Sequence, residues 1–430
     1  MRTHHEALAR TSLLLNQEWF AGEADERAIA GALLASTVRM VGDAESLSCR
    51  AGQTALITAF MLTARLGIGI ELVAPNVRLI DHSAPLREGR LVDALLELGS
   101  DLIPGLRVRT TVGQVDETFA FGSAPGSQQA VRVAASDVGA ELERGSKSTP
   151  CHGHLPFGGL AAGAAVAAVA LEAAVARIEA ATGMIARKPR PSPGPPVRIR
   201  LSELFPELAD GLQLDLGSVD VISGGAITHA MLFCLLRIPG VHARLRIIEE
   251  QKAEISNVNR YSLLRASDDG VDKIEQLKSV ETDGVTVKGV RSLFTKNNRG
   301  TLLPLAERVL VGVDDVRARW WVQEEQPDWL AIGATGNNLA RLTTHVAAGP
   351  CAACTHPEAL APGVIPTISF VSFWAGFLQA CALVSGSRAP TNVFIYPFAL
   401  SGPQAIASFA PRTNPDCPLD CSASAGQEAA

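Results

Sequence analysis

At 430 residues, with 47% hydrophobic and 19% charged side chains, the chain is too long for one ordinary core and too apolar to be disordered. Two domains of about 150–200 residues each fit it. The formal net charge of −6, the lack of a Lys/Arg-rich block and an aromatic content of 5% argue against a nucleic-acid partner.

The opening residues MRTHHEALAR carry charges and lead into no long apolar run, so no signal peptide is expected and a cytoplasmic location is. In chain order, STVRMVGD predicts a strand, AGQTALITAFMLTARLG a helix and IGIELVAP a second strand. Gly67 follows the helix, as helix stops usually do. LPFGGLAAGAAVAAVALEAAVARI then predicts a small-residue helix. The Pro-rich stretch Arg187 to Val197 cannot continue a helix or enter a sheet and reads as a semi-rigid linker.

Beyond it the order repeats. LQLDLGSVDVIS predicts a strand, AITHAMLFCLLRIPG a helix, ARLRIIEE a strand, and GVIPTISFVSFWAGFLQACALVSG a closing apolar helix. This is a diverged internal duplication of an α/β unit. Leu155 to Val175 and Val364 to Val384 are apolar enough to suggest membrane spans. The first carries Glu172, the second Ser369, Ser372 and Gln379, and neither has one-sided basic flanks. Both are expected as buried helices, with no membrane partner.

The chemistry gathers in the second half. The turn ISGGAIT places Gly224 and Gly225 between a strand and a helix, where backbone amides and the helix dipole favour a phosphate. It is not GxGxxG, because Ile222 and Ile227 stand where glycines belong; a tight turn without ligand fits it equally. Glu249 ends the next strand, placed to accept ribose hydroxyls, with Glu250 as the adjacent alternative. Ser256 to Arg260 (SNVNR) and Lys273 bring Asn257, Arg260 and a lysine that suit a triphosphate. Each alone also fits an ordinary surface charge. Asp314 and Asp315 close the strand in VLVGVDDVRAR, with Arg319 one turn on. A strand-end carboxylate there suits magnesium or, more simply, caps a helix.

Four of the eight cysteines form two close pairs, Cys351/Cys354 and Cys417/Cys421. Without an export signal such pairs point to metal, and together they complete a tetrahedral thiolate site for Zn2+. Its role would be structural, pinning the C-terminal tail.

The order SGG, Glu249, SNVNR, Gly270 to Lys273, Asp314 to Arg319, Cys351/Cys354, GFLQA and NPDCPLDC resembles the ThiF/MoeB/ubiquitin-activating enzyme superfamily over residues 215–421. The resemblance implies two Rossmann-like ThiF-type halves packed as a pseudo-twofold pair. Residues 1–186 would be a degenerate adenylation domain, 187–197 the linker, and 198–430 the active domain with its zinc site. It implies ATP and Mg2+, with Asn257, Arg260 and Lys273 on the phosphates, Glu249 on the ribose and Asp314 on magnesium. Arg10, in ALARTSLLL, would reach the ATP from the first half. Two family glycines are missing, and Glu249 and Asp315 replace an Asp and an Asn.

The implied reaction joins a substrate's C-terminal carboxylate to AMP. The leading substrate is a ubiquitin-like protein ending in glycine. Further candidate partners are a conjugating enzyme and a second copy of the chain. Alternatives are a ribosomal peptide, a sulfur-carrier protein, or a binding scaffold without turnover. No cysteine follows the CxxC before Gln379, so Thr367 and Ser369 are candidate acceptor hydroxyls. Cys151, beside His152 and His154, is an exposed-looking thiol whose pKa those imidazoles would lower.

Overall fold

A computed structural model describes residues 3–86, 89–145, 147, 149–187, 196–347, 349–357, 366–402, 404–419 and 421. Two helices lead, α1 (His4–Trp19) and α2 (Glu26–Ala35). Then come β1 (Thr37–Gly42), α3 (Arg50–Arg65), β2 (Gly69–Val73), α4 (Leu91–Ser100), β3 (Val108–Arg109), β4 (Glu117–Phe121), β5 (Val131–Ala135), β6 (Gly139–Arg144), α5 (Phe157–Thr182) and β7 (Val197–Arg200). The sheet order is β3-β2-β1-β4-β5-β6-β7. Its first five strands are parallel, and β6 and β7 add on antiparallel.

The second half follows with α6 (Glu207–Asp210), β8 (Asp215–Ile222), α7 (Ala226–Leu235), β9 (His242–Ile248), α8 (Lys273–Lys278), β10 (Val285–Val290), β11 (Arg308–Val311), α9 (Val316–Glu324), β12 (Trp329–Thr335), β13 (Ala340–His345), α10 (Ala352–Thr355), α11 (Ser369–Ser385), β14 (Asn392–Ile395) and β15 (Ile406–Phe409). Its order, β10-β9-β8-β11-β12-β13-β14-β15, repeats the first with one strand more. The parallel part again covers five strands, and β13 to β15 are antiparallel. Both parallel parts have the 3-2-1-4-5 order of an open Rossmann-like sheet. The expected duplication is therefore present in the topology.

Gly67 and Gly240 end the corresponding helical turns with φ of 81° and 74°, a left-handed conformation that glycine adopts without a Cβ clash. The sequence boundary is shifted by pairing. Val197–Arg200 hydrogen-bonds to β6, so the residues expected to open a second domain at 198 are an edge strand of the first sheet. Residues 188–195 of the expected linker lie outside the described ones.

The halves meet where α11 of the second packs against α3 and α5 of the first, and where α1 packs against residues 255–257 after β9. Their largest hydrophobic cluster runs without a break from Leu14 to Ile395. Helix α5 is long and apolar enough to cross a membrane, but 78% of its most apolar window is buried in the fold. Helix α11 is buried along its whole length.

Candidate active site

Strand β8 runs out at Ile222 and the chain turns sharply into α7. Ser223 takes φ 100°, which an L residue adopts at a cost, so the turn holds strain that a glycine would relieve. The N-cap of α7, Gly225, offers no side-chain cap, which leaves the first N–H groups of the helix open. At the matching place in the first half, Cys49 Sγ accepts the Gly52 N–H and closes the N-terminus of α3. One half thus leaves its helix end without a side-chain cap, and the other covers its own.

Ile227 occupies the position where a third glycine was expected. Its room comes from the facing strands. A Cβ at Gly333 would lie 2.8 Å from Ile227 Cγ2, and one at Gly312 would lie 3.3 Å from its Cβ. Glycine at these two positions leaves the space that the Ile227 side chain fills.

Beside this turn lies a cavity of about 310 Å3. Gly225, Glu249, Arg260, Lys273 and Asp314 all line it, together with Tyr261 and Thr367. Lys273, nearly buried, donates to Gln251 Oε1 at 2.7 Å and stands 3.9 Å from Glu249 Oε2. Arg260 donates to the Ser256 carbonyl and to Asn259 Oδ1 at 2.7 and 3.0 Å. Tyr261 lies between the two cations, its ring centre 5.4 Å from Arg260 Cζ and 5.5 Å from Lys273 Nζ. Burial lowers the Arg260 guanidinium, Tyr261 and Asp314 oppose the shift, and Arg10 adds to it. Asp315 caps α9 by accepting the Arg317 N–H. Its neighbour Asp314 accepts no hydrogen bond among the described residues and faces the cavity.

Three expected residues lie elsewhere. Gly224 does not line the cavity; its N–H donates to Glu249 Oε2 at 2.9 Å. Asn257 directs Oδ1 to the Glu254 N–H, an internal cap. Arg10 does not line the cavity either, although its charge is felt at Arg260. The Glu249 carboxylate is 4% exposed and also accepts the N–H groups of Glu250 and Gln251 through Oε1, so the backbone already engages both oxygens.

What the first half supplies is a brace. Thr11 Oγ1 accepts from Asn259, and Arg65 donates to the carbonyls of Val258, Ser262 and Leu264. Ser372 on α11 donates to the Arg260 carbonyl. These contacts fix the segment that carries Arg260 and Tyr261.

Cys151 corrects the expectation of an exposed, activated thiol. It is buried, its Sγ lies against the Val133 carbonyl, and burial pushes its pKa up to about 12. His152 turns instead toward the Pro150 carbonyl. Ser369 is buried with its hydroxyl on the Leu62 carbonyl. Thr367 lines the cavity, and its buried Oγ1 has no partner among the described residues.

The four C-terminal cysteines come together. Their Sγ atoms lie within 4.8 Å of one another, with contacts of 3.8, 3.3 and 3.3 Å. A tetrahedral Zn–S4 centre with bonds of about 2.3 Å has sulfur–sulfur edges of about 3.8 Å, so the set fits such an ion after a small expansion. Asn414 N–H donates to Cys354 Sγ. Burial raises the Cys417 thiol, but hydrogen bonds from the backbone N–H groups of Cys421 and Leu419 and from the Cys351 and Cys354 thiols together outweigh it and bring the pKa to about 7. Tyr261, Gln251 and the buried His345 and His356 near the Asp314 turn were not legible in the sequence, because neither spacing nor residue type sets them apart.

No family model matches the chain. The uncharacterized protein y4jF of Sinorhizobium fredii is 27% identical over 137 residues, a match that covers 31% of this chain and 26% of that protein. The match thus spans about a quarter of that relative's length. Among solved structures, E. coli MccB with ATP is similar at a TM-score of 0.39 and 15% identity, covering 48% of this chain and 67% of that one. The microcin C7 biosynthetic enzyme MccB with N-formylated MccA gives 0.38 and 15%, covering 50% and 69%. PaaA gives 0.34 and 11%, covering 45% and 71%.

Proposed function

We propose that this chain is an ATP-dependent adenylating enzyme that activates the C-terminal carboxylate of a small protein or peptide. One observation carries the reading. An uncapped helix N-terminus, a buried lysine, a half-buried arginine and a carboxylate without a hydrogen bond among the described residues line one cavity at the C-terminal ends of β8, β9 and β11.

The chemistry asks for two anions to be held together. A carboxylate oxygen attacks the α-phosphorus, the bond to the bridging oxygen breaks, and pyrophosphate leaves with that electron pair. Arg260, Lys273 and the N–H groups of α7 are placed to neutralise the phosphates. Asp314 would hold Mg2+, which supplies further charge neutralisation there. Cys351, Cys354, Cys417 and Cys421 would hold Zn2+ as a structural clamp.

Within this reading a ubiquitin-like protein is the substrate we favour, because an open and a self-capped half share one chain. Such an arrangement suits an active domain braced by a retired copy. A scaffold that binds nucleotide without turnover is the second reading, favoured by the backbone bonds on both Glu249 oxygens. Pyrophosphate exchange with small proteins ending in glycine, and with ribosomal peptides, separates these readings. We expect exchange that falls at least about 100-fold in Asp314→Ala. Nucleotide binding without exchange for any carboxylate would favour the scaffold.

A further inference from the structure

Behind the Asp314 turn lies a line of buried polar side chains, none of which itself lines the cavity or belongs to the thiol cluster. Arg319, on α9, is 8% exposed. Its Nε and Nη2 donate to the Val313 carbonyl at 3.1 and 2.8 Å. Its Nη1 lies 3.0 Å from His356 Nδ1. Arginine only donates, so Nδ1 accepts and the His356 proton sits on Nε2. That nitrogen is 2.8 Å from Thr343 Oγ1.

The far end fixes its own protons independently. His345 Nδ1 lies 2.8 Å from the Pro350 carbonyl, which only accepts, so this imidazole carries its proton on Nδ1. Its Nε2 then accepts, 2.9 Å from the same Thr343 Oγ1. The two assignments meet at one hydroxyl, which accepts from His356 and donates to His345. Every link is satisfied, in a single direction.

The ends matter. Val313 precedes Asp314 of the cavity, and Pro350 precedes Cys351 of the thiol cluster. Trp320, one residue after Arg319, packs on that cluster and donates Nε1–H to the His356 carbonyl at 2.9 Å. Thr343, His345 and His356 are all buried. A buried network with every member satisfied holds one geometry, and a gap in its middle strands polar groups on both sides.

We propose that Arg319, His356, Thr343 and His345 form a one-way hydrogen-bond relay that makes the cysteine cluster and the Asp314 turn a single mechanical unit. The three residues beyond Arg319 are positioning residues. Through them, metal on the cysteines is felt as nucleotide affinity at the cavity. The affinity part rests on the adenylating reading above; the relay itself does not.

Thr343→Val tests this in the full-length, metal-loaded protein. It keeps the side-chain volume, removes the shared hydroxyl and changes neither a cysteine nor a cavity residue; Thr343→Ser restores the hydroxyl. The probe is MgATP, with affinity read by calorimetry and metal content by elemental analysis. Thr343→Val should bind ATP about tenfold more weakly with its metal retained, and Thr343→Ser within about twofold of wild type. Chelating the metal should weaken the wild type by a similar factor and add little in Thr343→Val. Equal losses on chelation in both proteins, or unchanged ATP affinity in Thr343→Val, would overturn the relay.

A second readout does not need nucleotide. Nitrogen-15 spectra should show His356 protonated at Nε2 and His345 at Nδ1. The Arg319 Nε–H resonance should move on chelation in the wild type but not in Thr343→Val. If the wild type binds no ATP, the adenylating reading fails while this readout still decides the relay. The opposite tautomers, or an Arg319 resonance indifferent to the metal, would end it.

Discussion

Arg65 and Arg237 stand at matching points of the two halves and reach across the contact in opposite directions. Arg65 closes α3 and donates to the carbonyls of Val258, Ser262 and Leu264 in the loop after β9. Arg237, just past α7, donates to the carbonyls of Ser83 and Ala84 in the loop after β2. Each rests on the residue four positions back, Arg65 Nε on Met61 Sδ and Arg237 Cζ over the Phe233 ring. Reciprocity of this kind is what a twofold relation between halves produces.

The pair differs in charge partners. Arg237 has Asp81 at 3.5 Å, whereas the bonds of Arg65 to the other half all go to carbonyls, and burial brings its pKa down to about 9. Arg65→Met leaves three buried carbonyls without donors and should cost about 3–5 kcal/mol in urea unfolding. Those carbonyls flank Arg260, so ATP affinity should fall more in Arg65→Met than in Arg237→Met. Equal effects on ATP would separate the brace from the site.

Gly376 and Gly163 sit at close approaches between helices. A Cβ on Gly376 would lie 2.3 Å from the Ile227 carbonyl, and one on Gly163 would lie 2.5 Å from Thr58 Cβ. Alanine at either should destabilise by about 2–4 kcal/mol, because the facing elements are backbone or branched side chain that must shift. Gly31, exposed in α2 with nothing near its would-be Cβ, should respond with the opposite sign. Gly31→Ala should gain about 0.5–1 kcal/mol. Denaturation of the three variants checks both signs at once.

The parallel part of each sheet was legible because βαβ units leave apolar runs separated by helix stops at Gly67 and Gly240. The cavity residues Glu249, Arg260, Lys273 and Asp314 were legible from their order, as were the four cysteines from their spacing. The antiparallel extensions were not, since β6, β7, β14 and β15 are short and partly polar. Cys151 misled because two neighbouring histidines suggested exposure, while its burial comes from contacts about a hundred residues away at Ser46. Arg65 carries no sequence signal beyond its place in the last turn of a helix, and its partners lie 193 to 199 positions along the chain. Thr343 and His345 belong to a strand pattern that hides which neighbours their polar atoms meet.

The cysteine cluster should hold one zinc ion per chain. Cys351→Ser removes a buried thiolate and should release the metal and loosen the segment from Asn414 to Cys421, which is attached through Cys354 and Cys417. Elemental analysis reads the first effect and limited proteolysis near the C-terminus the second. Full zinc retention in the variant would show that these four sulfurs are not the ligand set.

Glu172 gives the fold a pH slope of known sign. Burial in α5 pushes its carboxyl up to about 8, with Arg144 pulling the other way, against 4.5 when free. Between those values the folded chain binds more protons than the unfolded one, so stability falls as pH rises. The penalty is absent below about pH 4.5 and complete above about pH 8. Glu172→Gln removes the titration. The side chain is half-buried, so water moderates the effect, and the gain at pH 8.5 should be on the order of 1–2 kcal/mol. At pH 5 the difference from wild type should be much smaller. Urea unfolding of both proteins at the two pH values measures this, and a gain that stayed constant with pH would assign the effect to packing rather than to the carboxyl.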